Sequence, residues 1–323
     1  MMLTLAVIGA VGIVLPHVLP LQRVPPVTAI LLWLSSLALR ALACALVVVY
    51  VVFVVPQTNF FDALTHWCLH AVVPLVAGDH ELEGHSLGDL ALLLPALALA
   101  VSLMWICVRT ARSARAARNL VERHGLGRGP RGSVIVGGPE VAFAVAGLAR
   151  PRIVVSAGAL ASLDDDELAA ALEHEQAHIS RRHRFVMLLA VAFRTVGRLV
   201  PGGGRALNEL SFQLERDADT WTLRRRHDRL ALASVICKAA IAEPATRNGA
   251  LTGLGSAGVR ERVGQLLDDE PRRYAQPVMV AINGLAIAIV ACALLLVAAV
   301  PTAAVAGVER DAHHGHHGQH CEH

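Results

Sequence analysis

Residues 167–183 read ELAAALEHEQAHISRRH, and the rest of the chain is interpreted from them. Leu168, Ala171, Leu172 and Ile179 recur at helical spacing, so the stretch predicts an amphipathic helix. Residues four apart on a helix lie one above the other on the same face. His174 and His178 can therefore offer two imidazole nitrogens to one divalent ion. Glu175 follows the first histidine and can take a proton from a water molecule beside that ion. Upstream, Ser162 precedes Leu163, Asp164, Asp165, Asp166 and Glu167, which predicts an N-cap at Ser162 and a first turn whose acids suit the helix dipole. A lone H-E-x-x-H can arise by chance in a histidine-rich chain. Its place well inside a capped helix is what lifts this one above that level.

Two histidines leave a third ligand to find. A histidine three residues beyond a glycine would extend the motif, but positions 181 and 184 hold Arg181 and Arg184. The metzincin pattern is thereby excluded. A carboxylate on a later helix is the other common solution, and FQLERDADTWTLRRR (212–226) offers one. Glu215 and Asp219 are four apart and share a face, whereas Asp217 points elsewhere. Glu215 is the candidate third ligand and Asp219 the candidate acceptor for a ligand histidine's N–H. Glu209 is held in reserve. One zinc ion on His174, His178 and Glu215, with Glu175 as general base, is the site expected from these residues.

The 323 residues are 54% hydrophobic and 17% charged, with a mean hydropathy of +0.52. Such a balance fits a membrane protein carrying one water-facing domain. The formal net charge of +3 gives no reason to expect a nucleic-acid partner. Six cysteines are scattered without a C-x-x-C spacing, so neither a thiolate zinc site nor a disulfide framework is indicated.

Apolar stretches at about 2–19, 37–55, 88–108 and 277–300 predict four transmembrane helices. Together the first three make an N-terminal membrane region, 1–108. Arg40 falls near one end of the second, where its side chain is expected to snorkel to the interface. The segment 56–87 carries acids and no Lys or Arg, whereas Arg109, Arg112, Arg115, Arg118, Arg123, Arg128 and Arg131 follow the third span. The positive-inside rule then puts 109–274 in the cytoplasm and 56–87 outside. Within 109–274, SVIVGG, EVAFAVAG and RIVVSAG read as short strands of a small antiparallel sheet packed on the motif helix, where an edge strand could hold substrate. The run 184–200 reads as a buried or membrane-apposed helix, 231–242 as a packing helix, 244–258 as a mobile loop and 260–273 as a short amphipathic helix. After the fourth span, 301–323 is a His-rich tail expected outside the cell. It reads as a disordered polar segment, with metal scavenging as the alternative.

The stretch RPRIVVSAGALASLDDDELAAALEHEQAHISRRH resembles the core of bacterial membrane metallopeptidases of the BlaR/MecR type, the antirepressor family. In those proteins a strand and a Ser-x-Gly-like turn lead into an acidic, H-E-x-x-H-bearing helix. More distantly, H-E-x-x-H followed by Glu215 and Asp219 is similar to HtpX-type membrane proteases. The resemblance implies a multi-pass α-helical membrane protein with an inserted α+β gluzincin domain, zinc on His174, His178 and Glu215, and Glu175 as general base. It also implies cleavage of a protein substrate at the cytoplasmic face, with a transcriptional repressor as the BlaR-like candidate. No Ser-x-x-Lys acylation motif follows the last span, so β-lactam sensing is not expected. Two other readings stand beside this one: HtpX-like quality control of membrane proteins, and a non-catalytic membrane signalling or metal-binding protein.

Overall fold

The computed structural model describes residues 2–53, 84–147, 151–242 and 258–268, with scattered positions between 280 and 291. Among these, helices dominate: α1 (Met2–Val18), α2 (Pro26–Phe53), α3 (Gly84–His124), α4 (Ala157–Ser162), α5 (Asp165–Ser180), α6 (His183–Val196), α7 (Gly203–Arg224), α8 (Arg229–Ala242) and α9 (Val259–Leu267). Four short strands join them: β1 (Gly125–Arg128), β2 (Val134–Val136), β3 (Phe143–Ala146) and β4 (Arg152–Ser156).

The sheet runs β1-β2-β4-β3. It is mixed, which corrects the expected antiparallel sheet. The chain leaves β2, forms β3, and turns back so that β4 slots between them. β4 therefore pairs antiparallel with β3, Phe143 opposite Val155, and parallel with β2, Val134 opposite Val154. Alternation along these strands gives the sheet two buried faces. Phe143, Ile153 and Val155 pack with Ala170 and Ala171 of α5 and with Leu232, Val235 and Ile236 of α8. Val136, Ala146 and Val154 pack against Val121 of α3.

Within the described residues two stretches, Pro26–Val51 and Leu97–Arg123, are helical, long and apolar enough to cross a membrane. α1 is apolar but shorter, at 17 residues. Most of the expected fourth span at 277–300 lies outside the described residues, as do 56–83 of the acidic segment, 244–257 of the expected loop and the His-rich tail; the positions described between 280 and 291 are helical. α3 is 41 residues long, about 60 Å at 1.5 Å per residue, twice the hydrocarbon thickness of a bilayer. It runs on past the apolar 88–108 into the arginine-rich segment without a break.

α2 is not a separate anchor. Leu32, Trp33 and Leu37 share a core with Ala190 of α6 and with Ala206, Leu210 and Leu214 of α7. The helices approach closely where α6 ends: a Cβ on Gly197 would meet the Ala41 backbone nitrogen at 2.9 Å. Arg40 lies in this seam and is 2% exposed. Its Nε donates to Pro201 O at 3.2 Å and its Nη1 to Ser36 O at 3.0 Å. Snorkelling is thus overturned: one backbone carbonyl from the α6–α7 turn and one from α2 itself accept from the guanidinium inside the helix packing.

Candidate metal centre

α5 begins two residues later than the sequence suggested. Ser162 closes the short helix α4, and Asp164 is the N-cap. Asp164 Oδ1 accepts from the Glu167 N–H at 2.8 Å, and Glu167 Oε2 accepts from the Asp164 N–H at 3.0 Å, a reciprocal capping box. Glu167 is further tied to α8 by Ser234 Oγ at 2.6 Å and by Lys238, the sole lysine, at 2.6 Å. These contacts fix the start of α5 and, two turns on, the direction in which His174 and His178 project.

α7 crosses α5 with one face against α2, through Leu210 and Leu214, and the next face toward the histidines. It brings Glu215 beside them. His174 Nε2 and His178 Nε2 are 3.2 Å apart. Glu215 Oε2 is 3.4 Å from His174 Nε2, and Glu215 Oε1 is 3.5 Å from His178 Nε2. A tetrahedral ion with bonds of about 2.0–2.1 Å separates its ligand atoms by roughly 3.4 Å. The two imidazoles and one carboxylate therefore fit zinc in donor type and in spacing. His174 is fully buried, Glu175 is 3% exposed, and His178 and Glu215 are partly buried.

The electrostatics set the two histidines apart. Burial alone would depress the His174 imidazole, but Asp219 and Glu215 beside it raise its pKa to about 9. Burial pushes His178 down to about 3. Burial would also raise Glu215, yet His178, His174 and Arg262 hold it at about 2, a carboxylate throughout the neutral range. Glu175 goes the other way, its burial pushing the carboxyl up to about 7.

Asp219 sits behind the site with Oδ1 3.0 Å from His174 Nδ1, a close contact whose geometry falls short of a full hydrogen bond. Glu209 lies elsewhere on α7 and forms no part of the cluster of His174, His178 and Glu215. Three side chains that the sequence reading did not assign complete the surroundings. Arg262 of α9, fully buried, contacts Glu215 Oε2 at 2.9 Å and both oxygens of Asp219 at 2.7 and 2.8 Å. His183 Nδ1 is 2.9 Å from His178 Nδ1, and His183 Nε2 is 3.0 Å from Asp217 Oδ2. Arg181 also donates to that Asp217 oxygen. The turn that returns His183 toward the site passes through Arg182 at φ 55°, a left-handed conformation costing a non-glycine residue on the order of 1 kcal/mol. Asp217 does face away from Glu215, as helical spacing requires, and meets His183 there.

Residues 80–235 match the model of Peptidase family M48. A 60-residue stretch is 43% identical to the Protease HtpX homolog of Methanopyrus kandleri, covering 19% of this chain and 19% of that relative. The alignment thus spans about a fifth of the relative's length. Arg262 lies beyond the residues that match the family model.

Proposed function

We propose that the chain is a zinc-dependent endopeptidase of the HtpX type, built into a membrane-associated helical scaffold and cutting protein substrates. The observation that carries this reading is the convergence of His174, His178 and Glu215 at 3.2–3.5 Å, with Glu175 buried alongside. The matches to the M48 family and to an HtpX homologue support an HtpX-like protease at least as well as the BlaR/MecR resemblance supports a repressor-cleaving one.

His174, His178 and Glu215 would hold the ion, and the zinc supplies a Lewis acid that activates water and polarises the scissile carbonyl. Glu175 Oε accepts the proton of the attacking water and hands it to the departing amine nitrogen. Asp219 keeps the His174 ring turned so that Nε2, not Nδ1, faces the ligand cluster. Arg262 balances the Glu215 and Asp219 carboxylates.

The test uses the full chain purified in detergent, with the six tail histidines (His313, His314, His316, His317, His320 and His323) replaced by serine so that only the helical site counts. One zinc per chain is expected, together with cleavage of an unfolded model protein that stops on chelation and returns with zinc. Glu175→Gln should keep the zinc and lower cleavage by roughly 10²–10⁴-fold. Undiminished cleavage by that variant, or a parent chain without zinc, sinks the reading.

A further inference from the structure

We propose that His183 is a positioning residue for His178: its bare Nδ1 accepts the Nδ1–H of His178 and so fixes the tautomer and ring plane in which His178 binds metal. The proposal rests on the zinc-site reading above. His178 turns Nε2 toward His174 and Glu215, at 3.2 and 3.5 Å, so Nε2 is the ligating atom. A neutral imidazole that ligates through Nε2 carries its proton on Nδ1. The atom facing that proton is His183 Nδ1, 2.9 Å away, with the two rings edge to face at 80°.

Two ring nitrogens at this distance share a single proton, so His183 must leave its own Nδ1 bare and carry hydrogen on Nε2. That N–H points at Asp217 Oδ2, 3.0 Å away, and Arg181 donates to the same oxygen. The ring N–H groups of His178 and His183 and the Nε–H of Arg181 then each meet an acceptor. The opposite tautomer of His183 would set N–H against N–H at one end and a lone pair against a carboxylate at the other. His183 is 4% exposed and Asp217 5%, so water is not at hand to repair such a mismatch. One helix, α7, thus supplies both a ligand, Glu215, and the anchor of this relay, Asp217. Arg182 takes its left-handed conformation at the one turn that brings His183 back over His178.

The experiment measures zinc affinity by competition with a chromogenic chelator, on the full chain with serines at the tail histidines. His183→Phe keeps a ring but offers no acceptor, and should weaken zinc binding about 10–100-fold. His183→Asn places an amide oxygen near the position of Nδ1 and should stay within severalfold of the parent. Asp217→Ala, which frees His183 to exchange tautomers, should weaken binding on the order of tenfold. It decides the matter should the Phe variant fail to fold, as judged by metal-free melting. Unchanged affinity in both His183→Phe and Asp217→Ala overturns the proposal, and so does an Asn variant as weak as Phe, since ring packing alone would then be at work. Either result with a tightly binding parent leaves the zinc reading intact. A parent that binds no zinc overturns both.

Discussion

Arg262 enters the site from α9 with no exposed side-chain surface and lies within 3 Å of carboxylate oxygens on both Glu215 and Asp219. Removing one partner of a buried charge cluster leaves the others unpaired in a medium that solvates them poorly, at about 3–5 kcal/mol. Arg262→Met keeps the length of the side chain and removes the charge. It should destabilise the metal-free chain by that amount, seen as a lowered melting temperature in detergent, and zinc should recover part of the loss because a cation again sits between the acids. Arg262→Lys should recover little, since a point charge cannot bridge two carboxylates as the guanidinium fork does. Equal melting temperatures for parent and Met variant would show that Arg262 is not the counter-charge. Neither Arg262 nor His183 was legible in the sequence. His174, Glu175, His178 and Glu215 stand on regular helices, where spacing alone assigns a face. His183 lies beyond the end of α5, past a left-handed residue, and Arg262 arrives from a helix 43 residues after Asp219. Local periodicity cannot reach contacts that depend on a turn or on tertiary packing.

The helix α5 shows how one element carries both stability and site geometry. Burial raises the Glu167 carboxyl, but the hydrogen bonds from Lys238, Ser234 and the Asp164 backbone more than offset that, leaving its pKa below the ordinary 4.5. A carboxylate depressed in the folded state contributes stability that is complete above its unfolded pKa and is lost as pH falls through the folded one. Glu167→Gln should therefore cost on the order of 1–2 kcal/mol at neutral pH, through the weakened cap and the lost charged hydrogen bonds. The gap between variant and parent should narrow as pH drops below 4.5. Thermal unfolding at pH 7 and pH 4 checks it, and a gap that stays constant or widens toward acid would count against the ion-paired capping box. The acids of this first turn were readable as a helix start, yet the cap moved from Ser162 to Asp164 because residues 157–162 form a helix of their own. Three of the four strands were readable as well, whereas β1, Gly125–Arg128, was not. Nor was their order, since insertion of β4 between β2 and β3 is decided by packing on α5 and α3, not by the residues of any one strand.

Across the whole molecule, the apolar N-terminal helices and the metal-bearing helices share a core. Length and hydropathy marked residues 37–55 as able to cross a membrane but gave no sign that the helix reaching back to Pro26 seats α7 on one side. Leu21, Val24, Ile30, Leu32, Trp33 and Leu37 cover Ala190, Ala206, Leu210 and Leu214. In a bilayer or micelle such contacts are held by close packing rather than by transfer out of water, so nothing apolar in the surroundings restores the fit once α2 is gone. A chain beginning at residue 84 should therefore fail to hold α7 in place, even though every proposed ligand remains in it. Glu215 and Asp219 would lose their register against His174, and zinc binding should fall by orders of magnitude. Equilibrium zinc binding and limited proteolysis of the shortened chain, beside the full chain in the same detergent, read this directly. Micelles can cover exposed leucines but cannot replace Arg40, whose hydrogen bond to Pro201 O ties α2 to the turn that starts α7. A shortened chain that binds zinc as tightly as the full one, with α7 equally resistant to protease, would show that the metal-bearing helices stand without α1 and α2.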